Sequence, residues 1–296
     1  MPLTDAQSDA LIDAVRQTAR EEILPRFRAL DPSEVDAKSA FDDLVTVADR
    51  AAEAALARRI EAVLPGDGVI GEEAVSEDRT LLDRVGAGRC AIIDPIDGTW
   101  NYAHGLANYG VILAVAEEGE TVWGLLYDPS FDDWIVAHRG QGAWFRRGGR
   151  ATKLAVSHED TPMDRLRGNV GEYMYPQADR TGLAATIPRV RRSASLGASV
   201  HEYRLMALGG SDFVLNAGLN CWDHAAGVLI LREAGGVARL LDRRDYAPTM
   251  QAGRLLNART EAMWVALAEM FNEALGVEPP EGSTPRQTPF NSKGRM

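Results

Sequence analysis

The run Cys90-Ala91-Ile92-Ile93-Asp94-Pro95-Ile96-Asp97-Gly98-Thr99-Trp100-Asn101 constrains this chain more than any other stretch. A short apolar, β-leaning segment passes directly into two carboxylates, a glycine and a hydroxyl. Apolar runs such as Ala91-Ile92-Ile93 read as buried strands, and layered α/β folds place their chemistry at the ends of such strands. Asp94 is therefore expected at a rigid strand tip, with Pro95 fixing the backbone just after it. Gly98 permits a tight turn and a close ligand approach. The amides of Gly98 and Thr99 would then face outward, suited to an anion.

Two carboxylates three residues apart, with no His or Cys between them, make a hard-oxygen site that favours magnesium over zinc or copper. Magnesium beside exposed amides points to a phosphate ligand, and the nearby hydroxyl to activation of water. Taken singly, Asp-Pro and Asp-Gly are ordinary turn formers. The buried strand in front of them lifts the run above a turn. Two rival signatures fail. An EF-hand loop needs acids at alternating positions, and the position after Asp94 in that pattern is Ile96. The Asp-x-Asp-Gly-Thr motif of haloacid dehalogenase-type phosphatases would put its nucleophile at Pro95, which leaves attack by water. The five histidines form no metal-spaced pair, and neither a Gly-x-Ser-x-Gly elbow nor a nucleotide-binding glycine fingerprint is present.

With 296 residues, 45% hydrophobic and 25% charged, the chain is long enough for about two domains or one large layered unit. A net charge of -11 argues against general nucleic-acid or membrane binding. Cys90 and Cys221 make neither a disulfide framework nor a zinc pattern. No secretory or membrane-spanning segment stands out, so a cytoplasmic location is expected.

Along the chain, Thr4-Asp5-Ala6-Gln7 is a capping box opening a helix that ends near Pro25. Asp31–Glu34 reads as a loop. Asp49 opens an Ala-rich helix to about Leu64, where an acid in the first turn is routine. Val69-Ile70-Gly71 is a second short strand ending in acids, Glu72 and Glu73. Tyr109–Ala116 and Thr121–Tyr127 form a hairpin, followed by antiparallel strands at Asp133–Ala137 and Gly142–Phe145. Residues 1–154 thus read as helices against a mostly antiparallel sheet. Residues 155–278 alternate strands and helices: a strand at Val190–Arg192, a helix from Gly197 to Leu208, a strand at Phe213–Asn216 and a helix over Ala225–Ala234. Asp223 is placed as the N-cap of that last helix. Strands at Val237–Leu241 and Leu255-Leu256 and a helix over Glu261–Leu275 follow. Residues 279–296 are expected to form a disordered tail.

Asp94-Pro95-Ile96-Asp97-Gly98-Thr99, Gly71-Glu72-Glu73 and Trp222-Asp223 together resemble the inositol monophosphatase family. Lys38 with Leu44-Val45-Thr46-Val47-Ala48-Asp49, and Glu233-Ala234-Gly235-Gly236, match further motifs of that family in the same order, over roughly residues 5 to 275. The resemblance implies an α+β/α/β fold, a layered αβαβα sandwich, and a magnesium-dependent phosphomonoesterase, commonly a homodimer. It further implies two or three Mg2+ ions. Glu72, Asp94 and the Ile96 carbonyl would hold one, and Asp94, Asp97 and Asp223 a second. Thr99 with Glu72 would orient and deprotonate the attacking water, with Asp49 behind them or near a weaker third ion. The amides of Gly98 and Thr99 would hold the phosphate.

The substrate side is expected at Asp97, Gly98, Thr99, Gly197, Ala198, Ser199, Asn216 and Asp223. Inositol-specific members carry an acid where this chain has Asn216, which still hydrogen-bonds a hydroxyl but less strongly. Inositol monophosphate or a related sugar or polyol phosphate ranks first as substrate, histidinol phosphate second. Fructose 1,6-bisphosphate and 3',5'-nucleotide bisphosphates rank third, on the nearby Arg191 and Arg192. A catalytically silent binding protein is the reading from another class. A silent relative would be free to lose carboxylates, and all of them are kept.

Overall fold

The computed structural model describes residues 3–38 and 43–277. Two sheets carry the fold. The larger has seven strands in the spatial order Gly68–Gly71, Arg89–Asp97, Gly110–Glu117, Glu120–Asp128, Asp133–His138, Gly142–Arg147 and Arg150–Leu154. Its first pair is parallel and the later pairs antiparallel. The smaller has five strands, in the order Arg192–Ala194, Arg167–Val170, Phe213–Asn216, Leu255–Ala258 and Val237–Leu240. It is parallel across its first two pairs and antiparallel across its last two.

The helices are α1 (Asp5–Thr18), α2 (Val47–Val63), α3 (Glu72–Glu77), α4 (Thr99–Ala103), α5 (Gln177–Thr186), α6 (Ser199–Ala207), α7 (Cys221–Glu233) and α8 (Glu261–Leu275). Alternation along Arg89–Asp97 shows how they stack, because successive side chains leave opposite faces of a sheet. Ala91 and Ile93 pack among Leu11, Val15, Ala52 and Leu56 of α1 and α2. Cys90 and Ile92 pack among Tyr203, Met206, Ala226 and Ile230 of α6 and α7. That same cluster includes Val214, Leu255 and Leu240 of the smaller sheet, so α6 and α7 lie between the sheets. The far face of the smaller sheet is closed by α5 and α8, through Leu183, Trp264, Leu267 and Phe271. The order is α, β, α, β, α. Helix α7 is buried nearly all round, as a middle layer demands.

Most expected elements are present, with informative shifts. The Thr4 capping box forms: Thr4 Oγ1 accepts from the Gln7 amide at 3.2 Å and Gln7 Oε1 from the Thr4 amide at 3.1 Å. Helix α1 stops at Thr18 and continues as a π-turn over Ala19–Ile23. The expected loop at Asp31–Glu34 holds a capped 3-10 turn over Pro32–Glu34. The strand expected at Val190–Arg192 starts at Arg192, because Pro188 sits in a 3-10 turn over Ile187–Arg189. Asp223 is not an N-cap. The N-cap position is Asn220, and Asp223 lies in the first turn of α7. The strand bearing Asp94 runs on to Asp97 instead of ending at Asp94. The expected tail, 279–296, lies outside the described residues. Among the described residues, no helix is long and apolar enough to cross a membrane.

Candidate active site

A regular strand would send Asp94 and Asp97, three positions apart, to opposite faces. Here Asp94 pairs with Ile112 and Asp97 with Gly110, so one strand advances three residues while its partner advances two. The extra residue is a bulge between Asp94 and Asp97, a span that holds Pro95, whose missing N–H a regular ladder could not tolerate. The bulge brings both carboxylates to one side. Asp223, carried in by α7, completes a cluster in which ligand oxygens of Asp94, Asp97 and Asp223 lie within 4.8 Å of one another.

Burial, then repulsion from Glu72 and from each other, pushes Asp94 well above the ordinary carboxylate range. Asp97 moves the same way, by burial and Asp223, against the amides it accepts. Desolvation and Glu72 push Asp223 up to about 7. Among the described residues, no lysine or arginine forms an ion pair with any of the three. Three crowded all-oxygen donors lacking a partner cation suit a hard divalent ion such as magnesium.

Glu72 opens α3 at the end of the neighbouring parallel strand. Its carboxylate is not part of the three-acid cluster. Lys38 Nζ holds it at 2.8 Å and holds Glu73 at 2.7 Å. Glu53 fixes α3 from below, accepting from the amides of Glu73 (2.9 Å) and Ala74 (2.8 Å). Burial and Glu72 push Glu73 up to about 7 despite the lysine.

Asp49 serves two purposes at once. In the capping box of α2, its Oδ2 accepts from the Thr46 amide at 2.9 Å and the Thr46 hydroxyl at 2.6 Å. Its Oδ1 is left to Thr99, whose hydroxyl lies 3.2 Å away and 3.0 Å from the Ile96 carbonyl. Thr99 is therefore paired with Asp49. Burial pushes Asp49 up to about 6, opposed by its Thr46 bonds.

Gly98 caps α4 at φ +88°, in the left-handed region. The first amides of a helix have no partner inside it, which leaves that of Thr99 available to an anion. At the start of α6, amides of Ser199 and Val200 donate to Asp97, at 3.1 and 2.5 Å, and anchor the helix. Gly197 and Ala198 line a cavity of about 110 Å³ with Asp97, Ser199, Asn216, Asp223, Tyr173 and Glu202. Arg191 and Arg192 do not line it.

A Cβ on Gly98 would sit 2.9 Å from both the Ala198 Cβ and the Asn108 carbonyl. Gly98→Ala is expected to lower stability by about 2 kcal/mol, from left-handed strain plus the backbone contact. Displacing Thr99 should cost turnover at least about tenfold. Urea unfolding and phosphate release measure the two; wild-type values for both would show that the turn tolerates a side chain.

The motif order, the layered fold and this acid-lined centre can now be set beside known proteins. The family model described as "Inositol monophosphatase family" matches residues 5–275. The chain belongs to the inositol monophosphatase family. Similar curated proteins include the fructose-1,6-bisphosphatase/inositol-1-monophosphatase of Thermotoga maritima, 33% identical over 69% of this chain and 73% of that protein. The inositol-1-monophosphatase of Bacillus subtilis is 33% identical over 72% and 78%, and rat inositol monophosphatase 1 is 32% identical over 82% and 85%. Among solved structures, the Thermotoga maritima IMPase superposes with a TM-score of 0.78 at 26% identity, covering 92% of this chain and 98% of that one. As a member of the inositol monophosphatase family, the protein is a hydrolase of the phosphatase class.

Sequence reasoning did not single out Glu53, Tyr173 or Glu202, and treated Glu73 only as part of a motif. Glu53 lies four residues after Asp49, on the same face of α2, the one local signal available for it.

Proposed function

We propose that the protein hydrolyses small phosphomonoesters of sugars or polyols, inositol monophosphate first among them, with magnesium as cofactor. The observation that carries this reading is the gathering of Asp94, Asp97 and Asp223, of which Asp97 and Asp223 line a cavity whose other walls include Asn216 and Gly197. Those three acids, with Glu72 and the Ile96 carbonyl, are the groups that would hold two or three Mg2+ ions. When bound, the ions neutralise the phosphate and lower the pKa of water toward 7, from about 15.7 in bulk.

The chain's own residues supply the remaining steps. The amides of Gly98 and Thr99 bind phosphate oxygens at the start of α4. Thr99 Oγ1 accepts a proton from the attacking water and passes its own to Asp49 Oδ1, which it already faces at 3.2 Å. Burial makes Asp49 a competent base near neutral pH, because its carboxyl sits at about 6. Lys38 keeps Glu72 aimed beside this relay.

Phosphate release in magnesium should be fastest from inositol 1-phosphate. Histidinol phosphate, fructose 1,6-bisphosphate and adenosine 3',5'-bisphosphate should follow at least about tenfold behind in kcat/KM, having fewer matching hydroxyls or a second charge without a nearby arginine. A bisphosphate or histidinol phosphate turned over faster would reassign the substrate. No release from any of them by folded protein would favour a binding role.

A further inference from the structure

Within the cavity, one carboxylate has no part in the machinery above. Glu202 lies in the first turn of α6 and is 6% exposed, yet it lines the same 110 Å³ space as Asp97, Asn216 and Asp223. Its Oε1 accepts from the Leu196 amide at 3.1 Å. Among the described residues, Oε2 has no hydrogen-bond partner and no lysine or arginine pairs with the group. With Oε1 taken, Oε2 is the oxygen left to the cavity, where it can accept from a donor on the ligand.

Asn216 presents the complementary half. Its Oδ1 accepts from Asn257 Nδ2 at 3.4 Å, which leaves its own NH2 as the group available to the cavity. A wall with one unused acceptor and one unused donor matches a hydroxyl, which donates and accepts together. It matches an ammonium less well, because the Asn216 NH2 would then face a second donor.

We propose that Glu202 is a specificity-determining residue of this phosphatase: with Asn216 it selects phosphomonoesters whose leaving group carries a free hydroxyl. The proposal rests on the phosphatase function argued above and deepens it. Burial raises the Glu202 carboxyl to about 7, against the pull of the Leu196 amide. Accepting a hydroxyl proton in the cavity therefore relieves an existing penalty.

The experiment compares wild type, Glu202→Gln and Glu202→Ala in magnesium on inositol 1-phosphate, phenyl phosphate and phosphoethanolamine. Glu202→Gln keeps an oxygen for the Leu196 amide but turns a second donor toward the cavity. It is expected to raise KM for inositol 1-phosphate about tenfold with kcat nearly kept, as loss of one charge-assisted hydrogen bond requires. The effect on phenyl phosphate, which has no hydroxyl, should be at least about fivefold smaller. Glu202→Ala should widen the same split. Equal losses on both substrates, or a fall in kcat alone, would make Glu202 a structural support of the Leu196 loop and overturn the proposal. So would no change on any substrate. Preference of the wild type for phosphoethanolamine, lost in Glu202→Gln, would also overturn it, since the carboxylate would then read a cation. Turnover of any of the three esters by the wild type reports the phosphatase function itself. Its absence on all three sinks that function and this proposal together, whereas turnover with an unselective Glu202→Gln sinks only this one.

Discussion

Asp94→Asn is expected to lower turnover roughly 10³-fold or more while the protein stays folded, because the change removes a charge proposed to hold the metal at the centre of the site. Asp94 Oδ1 accepts from the Ile96 amide at 3.1 Å, a bond that an asparagine oxygen can keep. The bulge between Asp94 and Asp97 should therefore survive. What disappears is a buried negative charge that Glu72, Asp97, Asp223 and Asp49 all repel. The metal-free variant should consequently be more stable than metal-free wild type, by on the order of 1 kcal/mol for each pKa unit relieved. Inactivation together with stabilisation is the pair of readings expected where crowded charge is kept for function at a cost in stability. Phosphate release and calorimetry of the EDTA-treated proteins provide them. Turnover above a tenth of wild type would remove Asp94 from the mechanism, and lower metal-free stability would mean that its charge is already compensated.

Chelating the divalent cation is expected to abolish turnover and to make stability fall with rising pH. Glu73 and Asp223 are each held at about 7 and Asp49 at about 6, all above their ordinary values. The folded protein thus binds protons more tightly than the unfolded chain at these positions. Their stabilising contribution is complete below about pH 4 and is lost as pH climbs through 6 and 7. His224 works the other way, since burial lowers it to about 4, but its effect is spent above the unfolded value near 6.5. Between pH 6.5 and 8.5 the carboxylates dominate. The metal-free Tm should drop by about 3–8 °C over that interval, for a few kcal/mol in a chain of this size. Magnesium, which binds the ionised acids, should raise Tm more at pH 8.5 than at pH 6.5. A metal-free Tm that is flat or rises over this interval would contradict carboxylates poised by burial and mutual repulsion.

Local pattern carried a large part of the fold. The Thr4 capping box, the hairpin around Glu117–Glu120, the strand Phe213–Asn216 and the helix Glu261–Leu275 are all short-range matters of caps, turns and period, and they stand where the residues place them. Short, partly polar or Pro-bounded pieces were hidden. Helices α3 and α5 and the strand Arg167–Val170 have too few residues for a period to show, and tertiary packing holds them.

The candidate site divides the same way. The types and order of its residues, from Lys38 through Glu72, Asp94, Asp97 and Thr99 to Asp223, are properties of the sequence, and with them the hard-oxygen chemistry. Their mutual geometry is not. Whether Asp94 and Asp97 share a face depends on a bulge whose register is set by the neighbouring strand. The Thr99 hydroxyl meets Asp49 because the capping box at Thr46 fixes Asp49 at the start of α2, while Lys38 holds Glu72 from a distant part of the chain. The amides of Ser199 and Val200 are taken by Asp97, 102 and 103 positions earlier in the chain. Glu202 enters the cavity only through the packing of α6 between the two sheets. Residue chemistry is local and can be read from the sequence, whereas distance between residues far apart in the chain is decided by how the layers close.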